Sequence, residues 1–501
     1  MANKKVKHSS VVVFVVHLII LVGGCVVDAL ETAKYKEIVD LLPTNPTASS
    51  SNGPRFGNAI AVAGKTAVIG GWFDDNQKGS AYFFREERVD GAYTWVFKQK
   101  LLAPNGAVRF GNTIVLSEDG TQLLVGSYLA GSPTQSGRVY SYAQSNGYSS
   151  DWTLAQTIAP DGLTDNGGTW FNNQFGYSIA ITSVSTGTYR AVIGSPGANK
   201  AYIFTKIGEA EWHQSSVLQI SCINSDCGFG ESVDIYGDTI AIGAPRESGP
   251  SSYGEINRSE NGEVHMYTFD ETYSTAWTDG ILSFYGDRSS QFGINVQVKY
   301  TSTYKADTVV VGFNGVVCDG SCVNYGRIAI FKRLTDGFWD SNLQWTKGTW
   351  ERTDMIWNGA DNVIVKKFES GIDSNILREA DCIGFATQRN GISLSSASID
   401  MGESEDLLVV GGEGAVHFFT SNSTTDVWQL KNVFAGSRSD YFGSAVGAGS
   451  DSVMVGCVGC DEWQGRVKAY TRDYSTPSSS AATLTGLFGQ ISASLVAFML
   501  L

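Results

Sequence analysis

Charge is scarce in this sequence. Asp, Glu, Lys and Arg make up 17% of its 501 residues, against 12% aromatics and 57 glycines. A disordered chain needs high charge and few aromatics, so that class is excluded. Many glycines beside many aromatics fit a β-protein with frequent tight turns. Positive charge is scarcer still, with 36 Lys and Arg against 50 Asp and Glu, for a net charge of −14. Such a surface repels a phosphate backbone, which argues against nucleic acid as a partner. Histidine is nearly absent: beyond the first 29 residues only His213, His265 and His417 occur. His265 and His417 hold one repeat position where other copies have Tyr140, Ala329 or Lys468, so they read as tolerated strand residues and not as a general base. There is no Ser-His-Asp set, phosphate-cradling loop or paired-histidine motif. No metal site or cofactor is expected. Asp and Glu are plentiful, which leaves a glycosidase-type carboxylate pair open.

The two ends differ from the middle. Lys4, Lys5 and Lys7 precede an apolar run from Val11 to Val22, followed by Gly23, Gly24 and Cys25. This reads as a signal peptide over residues 1–29, with Val27-Asp28-Ala29 as a cleavage site, because the run is short for a membrane span. A lipoprotein signal on Cys25 is the weaker alternative. At the other end, residues 475–501 form a Ser-rich spacer and an apolar tail with no charge after Asp473. Small residues before a terminal apolar tail fit a GPI-attachment signal, with Ser478, Ser479 and Ser480 as candidate sites. A retained tail helix is the rival. Asn257-Arg258-Ser259 and Asn422-Ser423-Thr424 are glycosylation sequons. Together these features predict the secretory pathway and a cell-surface location, with membrane contact through the tail.

Between the ends, residues 30–474 repeat one unit. It opens with Phe-Gly at Phe56, Phe110, Phe175, Phe229, Phe292 and Phe442, and in the sixth copy with Asn390-Gly391. A β-branched run ending in Gly follows, as in Ala67-Val68-Ile69-Gly70 and Val309-Val310-Val311-Gly312. Such short apolar runs are strands buried on both faces. A third strand starts at Gly, as in Gly79-Ser80-Ala81-Tyr82, and a fourth starts near Trp95, Trp152, Trp212, Trp277, Trp345 or Trp350, and Trp428. Seven four-stranded units stacked radially make an all-β, seven-bladed β-propeller. The last unit lacks a fourth strand, and the spare copy lies at the N-terminus, where Tyr35 precedes Leu41-Leu42 as Trp95 precedes Leu101-Leu102. The N-terminal strand is therefore expected to complete the last blade and remove two open edges.

The six Phe-Gly openings, with Gly194-Ser195-Pro196 and Gly243-Ala244-Pro245, resemble the FG-GAP repeats of integrin α-chains. The resemblance spans roughly residues 35 to 473 and implies a propeller that binds extracellular protein or glycan ligands. Many members bind calcium through an Asp-x-Asp-x-Asp-Gly loop between the first two strands, where converging oxygens hold the ion. The loops Ala63-Gly64-Lys65, Ser117-Glu118-Asp119-Gly120 and Tyr236-Gly237-Asp238 lack that pattern, so family-type calcium is not expected.

In an up-and-down blade, the loops joining strands two and three share a face with those joining blade to blade. Trp72, Phe73, Asp74, Tyr128, Phe313 and Trp463 fall in the first kind of loop, and Trp170, Phe171 and an insertion over about 358–389 in the second. Loop aromatics on a rigid scaffold favour recognition over a mere lid. Cys222 with Cys227, Cys318 with Cys322, and Cys457 with Cys460 lie on the same face and read as local disulfides, leaving Cys382 over. The functional expectation is a non-enzymatic surface binding or adhesion protein, against a propeller polysaccharide hydrolase or lyase, or a structural coat protein.

Overall fold

The computed structural model describes residues 34–46, 53–131, 136–148, 151–161, 173–222, 226–248, 262–269, 277–279, 284–285, 291–301, 306–317, 323–333, 338–339, 345–346, 350–358, 363–367, 399–401, 407–412, 414–422, 427–437 and 439–473. Their architecture is all-β: a seven-bladed propeller of antiparallel sheets. The first blade is Ile60–Ala63, Thr66–Gly71, Ser80–Val89 and Ala92–Leu102. The second runs from Ile114–Leu116 to Trp152–Ile158, the third from Ile179–Ser185 to His213–Gln219, and the fourth from Ser232–Tyr236 to Trp277–Asp279. The fifth carries a fifth strand, Val363–Lys367, beyond Trp350–Asn358. The sixth runs from Ile399–Met401 to Val427–Ala435. In the last sheet the order is Lys34–Leu41, Arg466–Asp473, Ser452–Cys457, Phe442–Ala448. First strands of neighbouring blades touch in cyclic order, and that of the seventh touches that of the first.

The apolar second strands explain the packing. Ala67, Val68 and Ile69 are fully buried, as are Ala191, Val192 and Ile193, and Val309, Val310 and Val311. Alternate side chains of one strand point to opposite faces, so each strand feeds two inter-blade cores. Val68 packs with Phe110 of the second blade, while Ile69 packs with Phe56 and Val467 on the other side. The core is thus a ring of separate clusters between blades.

The glycines weld blade to blade. Phe110, Phe175, Phe292 and Phe56 each form a parallel bridge to the glycine that opens the third strand of the preceding blade: Gly79, Gly137, Gly262 and Gly465. The second-strand glycine is equally constrained. A Cβ on Gly70, Gly126, Gly194, Gly243 or Gly456 would overlap the carbonyl oxygen of the next Phe-Gly glycine. The Phe-Gly glycine and the second-strand glycine are therefore the two halves of one backbone contact.

Two sequence expectations shift. The sixth blade's first strand is Ile399–Met401, paired with Leu407–Gly412, eight residues beyond Gly391, which itself lies outside the described residues. In the first three blades that strand starts three residues after the Phe-Gly glycine, so Asn390-Gly391 is out of register. Of the two candidates for the fifth blade's fourth strand, Trp350 begins it, and Trp345 pairs with Trp339 in a separate two-residue ladder.

Candidate functional site

The residue before Phe-Gly adopts a left-handed backbone in blade after blade: Arg55 (φ 54°), Arg109 (φ 58°), Gln174 (φ 57°), Gln291 (φ 48°) and Tyr441 (φ 54°). Only glycine adopts this conformation freely, and each other residue held there costs about 1–3 kcal/mol, which marks positions the surroundings over-determine. The loops after the second strand in the first and seventh blades share a further device. Asp75, Asn76 and Gln77, and likewise Asp461, Glu462 and Trp463, form three consecutive left-handed residues. These are left-handed turns, closed by Gly79 N–H on Asp74 C=O and Gly465 N–H on Cys460 C=O, at 2.9 and 3.0 Å. The third carbonyl of each turn then catches the next blade: Arg55 N–H donates to Trp463 C=O at 3.1 Å and Arg109 N–H to Gln77 C=O at 2.9 Å.

This framework brings two arginines into a nest of aromatic rings. The Arg55 guanidinium carbon lies 4.8 Å from the Trp72 ring centre, 4.9 Å from Phe73 and 5.0 Å from Trp463. That of Arg109 lies 4.6 Å from the same Trp72 ring and 5.6 Å from Tyr128. Tyr441 continues the array, 5.6 Å from Trp463, and Tyr177 lies 5.3 Å from Tyr128. Guanidinium over an aromatic face is attractive, and more so when partly desolvated. Burial and the like charge of Arg109 push the Arg55 guanidinium below its ordinary value, with Tyr441 opposing. Among the described residues neither arginine has a carboxylate partner. Arg109 donates to the Tyr128 hydroxyl, and the buried Nε of Arg55 has no acceptor. Arg246 is paired with Asp226 and Glu231, Arg466 with Asp461 and Asp40, and Lys100 with Asp74, while Arg138 donates to Ser136 Oγ and the Gly137 C=O.

Of the residues expected on this face, Trp72, Phe73, Tyr128 and Trp463 converge on the arginines. Asp74 does not reach solvent. It is fully buried, accepts from Tyr82 Oη at 2.5 Å and pairs with Lys100 Nζ at 2.7 Å, so it anchors the first left-handed turn from below. Burial, then the hydrogen bond to Asp74, push the Tyr82 phenol far above its ordinary value. In the seventh blade the equivalent position is Cys460, disulfide-bonded to Cys457 with Cα atoms 5.4 Å apart. Phe313 is also buried, at 2% exposure, with its ring against Phe292 in an inter-blade core; the contact with the Phe-Gly phenylalanine removes it from the surface. Trp170 and Phe171 lie outside the described residues, as do Cys318, Cys322, Cys382, Asn257, Ser478, Ser479, Ser480 and most of the 358–389 insertion. Cys222 and Cys227 are disulfide-bonded, with Cα atoms 5.7 Å apart. Asn422 ends a strand of the sixth blade. Two trios, Cys222-Cys227-Glu247 and Asp440-Cys457-Cys460, have metal-like proximity, but sulfurs joined in a disulfide are not the thiolates a metal takes. Arg55 and Arg109 escaped the sequence reading, although they fill one column, the position before Phe-Gly.

The channel is lined by first strands around a cavity of about 380 Å³. Two aspartates there fasten blades together. Asp234 Oδ2 accepts from Val298 N–H of the fifth blade at 2.6 Å, and Asp400 Oδ2 from Ala448 N–H of the seventh at 2.8 Å. Burial pushes the Asp234 carboxyl up to about 7 against its backbone hydrogen bonds from Val298 and Ile235, with Asp400 adding to the rise and Lys299 opposing it. At the turn where a family calcium would sit in the second blade, Asp119 is taken by protein donors: Ser117 Oγ at 2.5 Å, Tyr189 Oη at 2.6 Å and Thr121 Oγ1 at 2.8 Å. Burial works against its charge, and these bonds outweigh it, holding the carboxyl below its usual range. No helix among the described residues is long and apolar enough to cross a membrane.

In comparison with known proteins, the FG-GAP repeat family matches residues 48–84, the stretch holding Arg55, Phe56-Gly57, Trp72 and the first left-handed turn. No curated protein matches. Among solved structures, the crystal structure of a protein from Lactobacillus plantarum is similar over 79% of this chain and 87% of its own, with 12% identity and a TM-score of 0.40.

Proposed function

We propose that this propeller is a non-enzymatic binding or adhesion protein of the cell surface, with the loop face around Trp72 and Trp463 as its recognition surface. One observation carries the reading: Arg55 and Arg109 are held by strained backbone among aromatic rings, at the junctions of the seventh, first and second blades. A lid would need only apolar closure, whereas fixed cations with no carboxylate partner among the described residues are what a recognition site uses. The leader-like and tail-like ends favour secretion and attachment through the C-terminal tail, tested by phospholipase release from cells. A hydrolase reading would draw on the channel carboxylates, but Asp234 and Asp400 already hold backbone N–H groups of neighbouring blades. The test is the double substitution Trp72→Ala and Trp463→Ala in the full chain. Binding to cells and to protein and glycan arrays should fall at least about tenfold, the loss of roughly 1.4 kcal/mol, with cooperative melting retained. Unchanged binding would exclude this face.

A further inference from the structure

We infer that the Arg55–Arg109 pair is a subsite for the acidic group of a short oligosaccharide, a carboxylate or a sulfate; the inference rests on the binding-face reading and gives it a ligand class. Both guanidiniums lie within 5 Å of the Trp72 ring centre, so they are no more than about 10 Å apart. A guanidinium stacked on a ring leaves its in-plane N–H donors for other partners, and that fork matches the oxygens of a carboxylate or sulfate. Burial first and the like charge of Arg109 second disfavour the Arg55 cation, and a bound anion relieves both. Among the described residues the two lack a carboxylate partner in a chain of net charge −14, where Arg246 and Arg466 on the same face are paired with carboxylates.

The surroundings favour a sugar acid over an acidic protein. Tyr441, 40% exposed, stands beside Trp463 and offers an apolar ring face next to the cations, which suits the C–H face of a pyranose. The net negative field penalises a large acidic body, while a short acidic chain meets mainly the local cations, because charges beyond about 8–10 Å are screened.

The experiment is calorimetric titration of the full chain with three probes: a uronate trimer, a sulfated trisaccharide and a neutral glucan trimer. At least one acidic probe should bind, and the neutral one at least about tenfold more weakly. Uronate binding should vanish as pH falls through the ligand's own pKa, about 3.5, while sulfate binding persists, which separates the two sources. Arg55→Asn with Arg109→Asn suits the left-handed backbone and should abolish acidic binding with melting preserved. Arg55→Lys with Arg109→Lys keeps the charge without the fork and should give intermediate affinity; it also serves if the first pair misfolds. Equal binding of neutral and acidic probes, acidic binding that survives the asparagine pair, or binding of no acidic probe would overturn the inference. Each of these leaves the binding-face reading to its own test at Trp72 and Trp463.

Discussion

At the scale of single residues, neighbours in sequence proved a poor guide to role. Asp74 sits between Phe73 and Asp75 in a loop of the right face, yet it is a buried anchor, because Lys100 and Tyr82 meet it from the fourth and third strands. No local pattern announces a partner 26 residues away. Asp74→Ala would leave Lys100 in a site only 13% exposed without its counter-charge. Removing one partner of such a pair costs about 3–5 kcal/mol, readable as a shift of the urea midpoint. Asp234 and His417 predict pH effects of opposite sign. The folded-state carboxyl of Asp234 is raised to about 7, so its contribution is complete below the unfolded value near 4 and is lost as pH rises to about 7. Wild type should lose stability relative to Asp234→Asn across that window, by at most about 1.4 kcal/mol per pH unit. Burial lowers His417 to about 4; its contribution is present above the unfolded value near 6.5 and is lost as pH falls towards 4. Relative to His417→Gln, wild type should weaken on acidification, and thermal melts from pH 4 to 8 check both slopes.

At the scale of the element, the strand pattern was open to reading because burial on both faces leaves a continuous β-branched run, and because one backbone contact demands glycine at both of its halves. The opening of the sixth blade was misplaced for the same reason, although its second and fourth strands were not: without its Phe-Gly pair, only the pairing of Ile399 with Val410 reveals the register of the first strand. The left-handed turns had no such signature. Asp75-Asn76-Gln77 and Asp461-Glu462-Trp463 share a conformation but only their first residue. Gly243→Ala would drive a methyl into the Gly293 carbonyl, and we expect a loss above about 4 kcal/mol, or no cooperative melt. Gly91→Asn, in an open hairpin with nothing within 4 Å of the new Cβ, should cost no more than about 1 kcal/mol. Equal effects at the two positions in denaturant titrations would show that the blade contact is soft.

At the scale of the whole molecule, the seven-fold repeat was the most legible feature, since each unit reports the same geometry independently. The nature of the site was least legible, because it is assembled from three blades. The strand Lys34–Leu41 covers the edge of the last sheet through Lys468–Glu37 at 2.9 Å and Arg466–Asp40 at 2.7 Å, with Leu41 in the core beside Phe56. Deleting residues 37–41 should bare that edge and give concentration-dependent association in light scattering. The direction of the last described strand has a practical meaning. From Gly465, at the left-handed turn beside Arg55, the chain runs along Arg466 to Thr471, away from the arginines and out at the far end of the sheet. A label placed at Thr471 would therefore sit at the opposite end of that strand from the guanidiniums. A reporter dye held there would stand clear of the cations during a binding measurement.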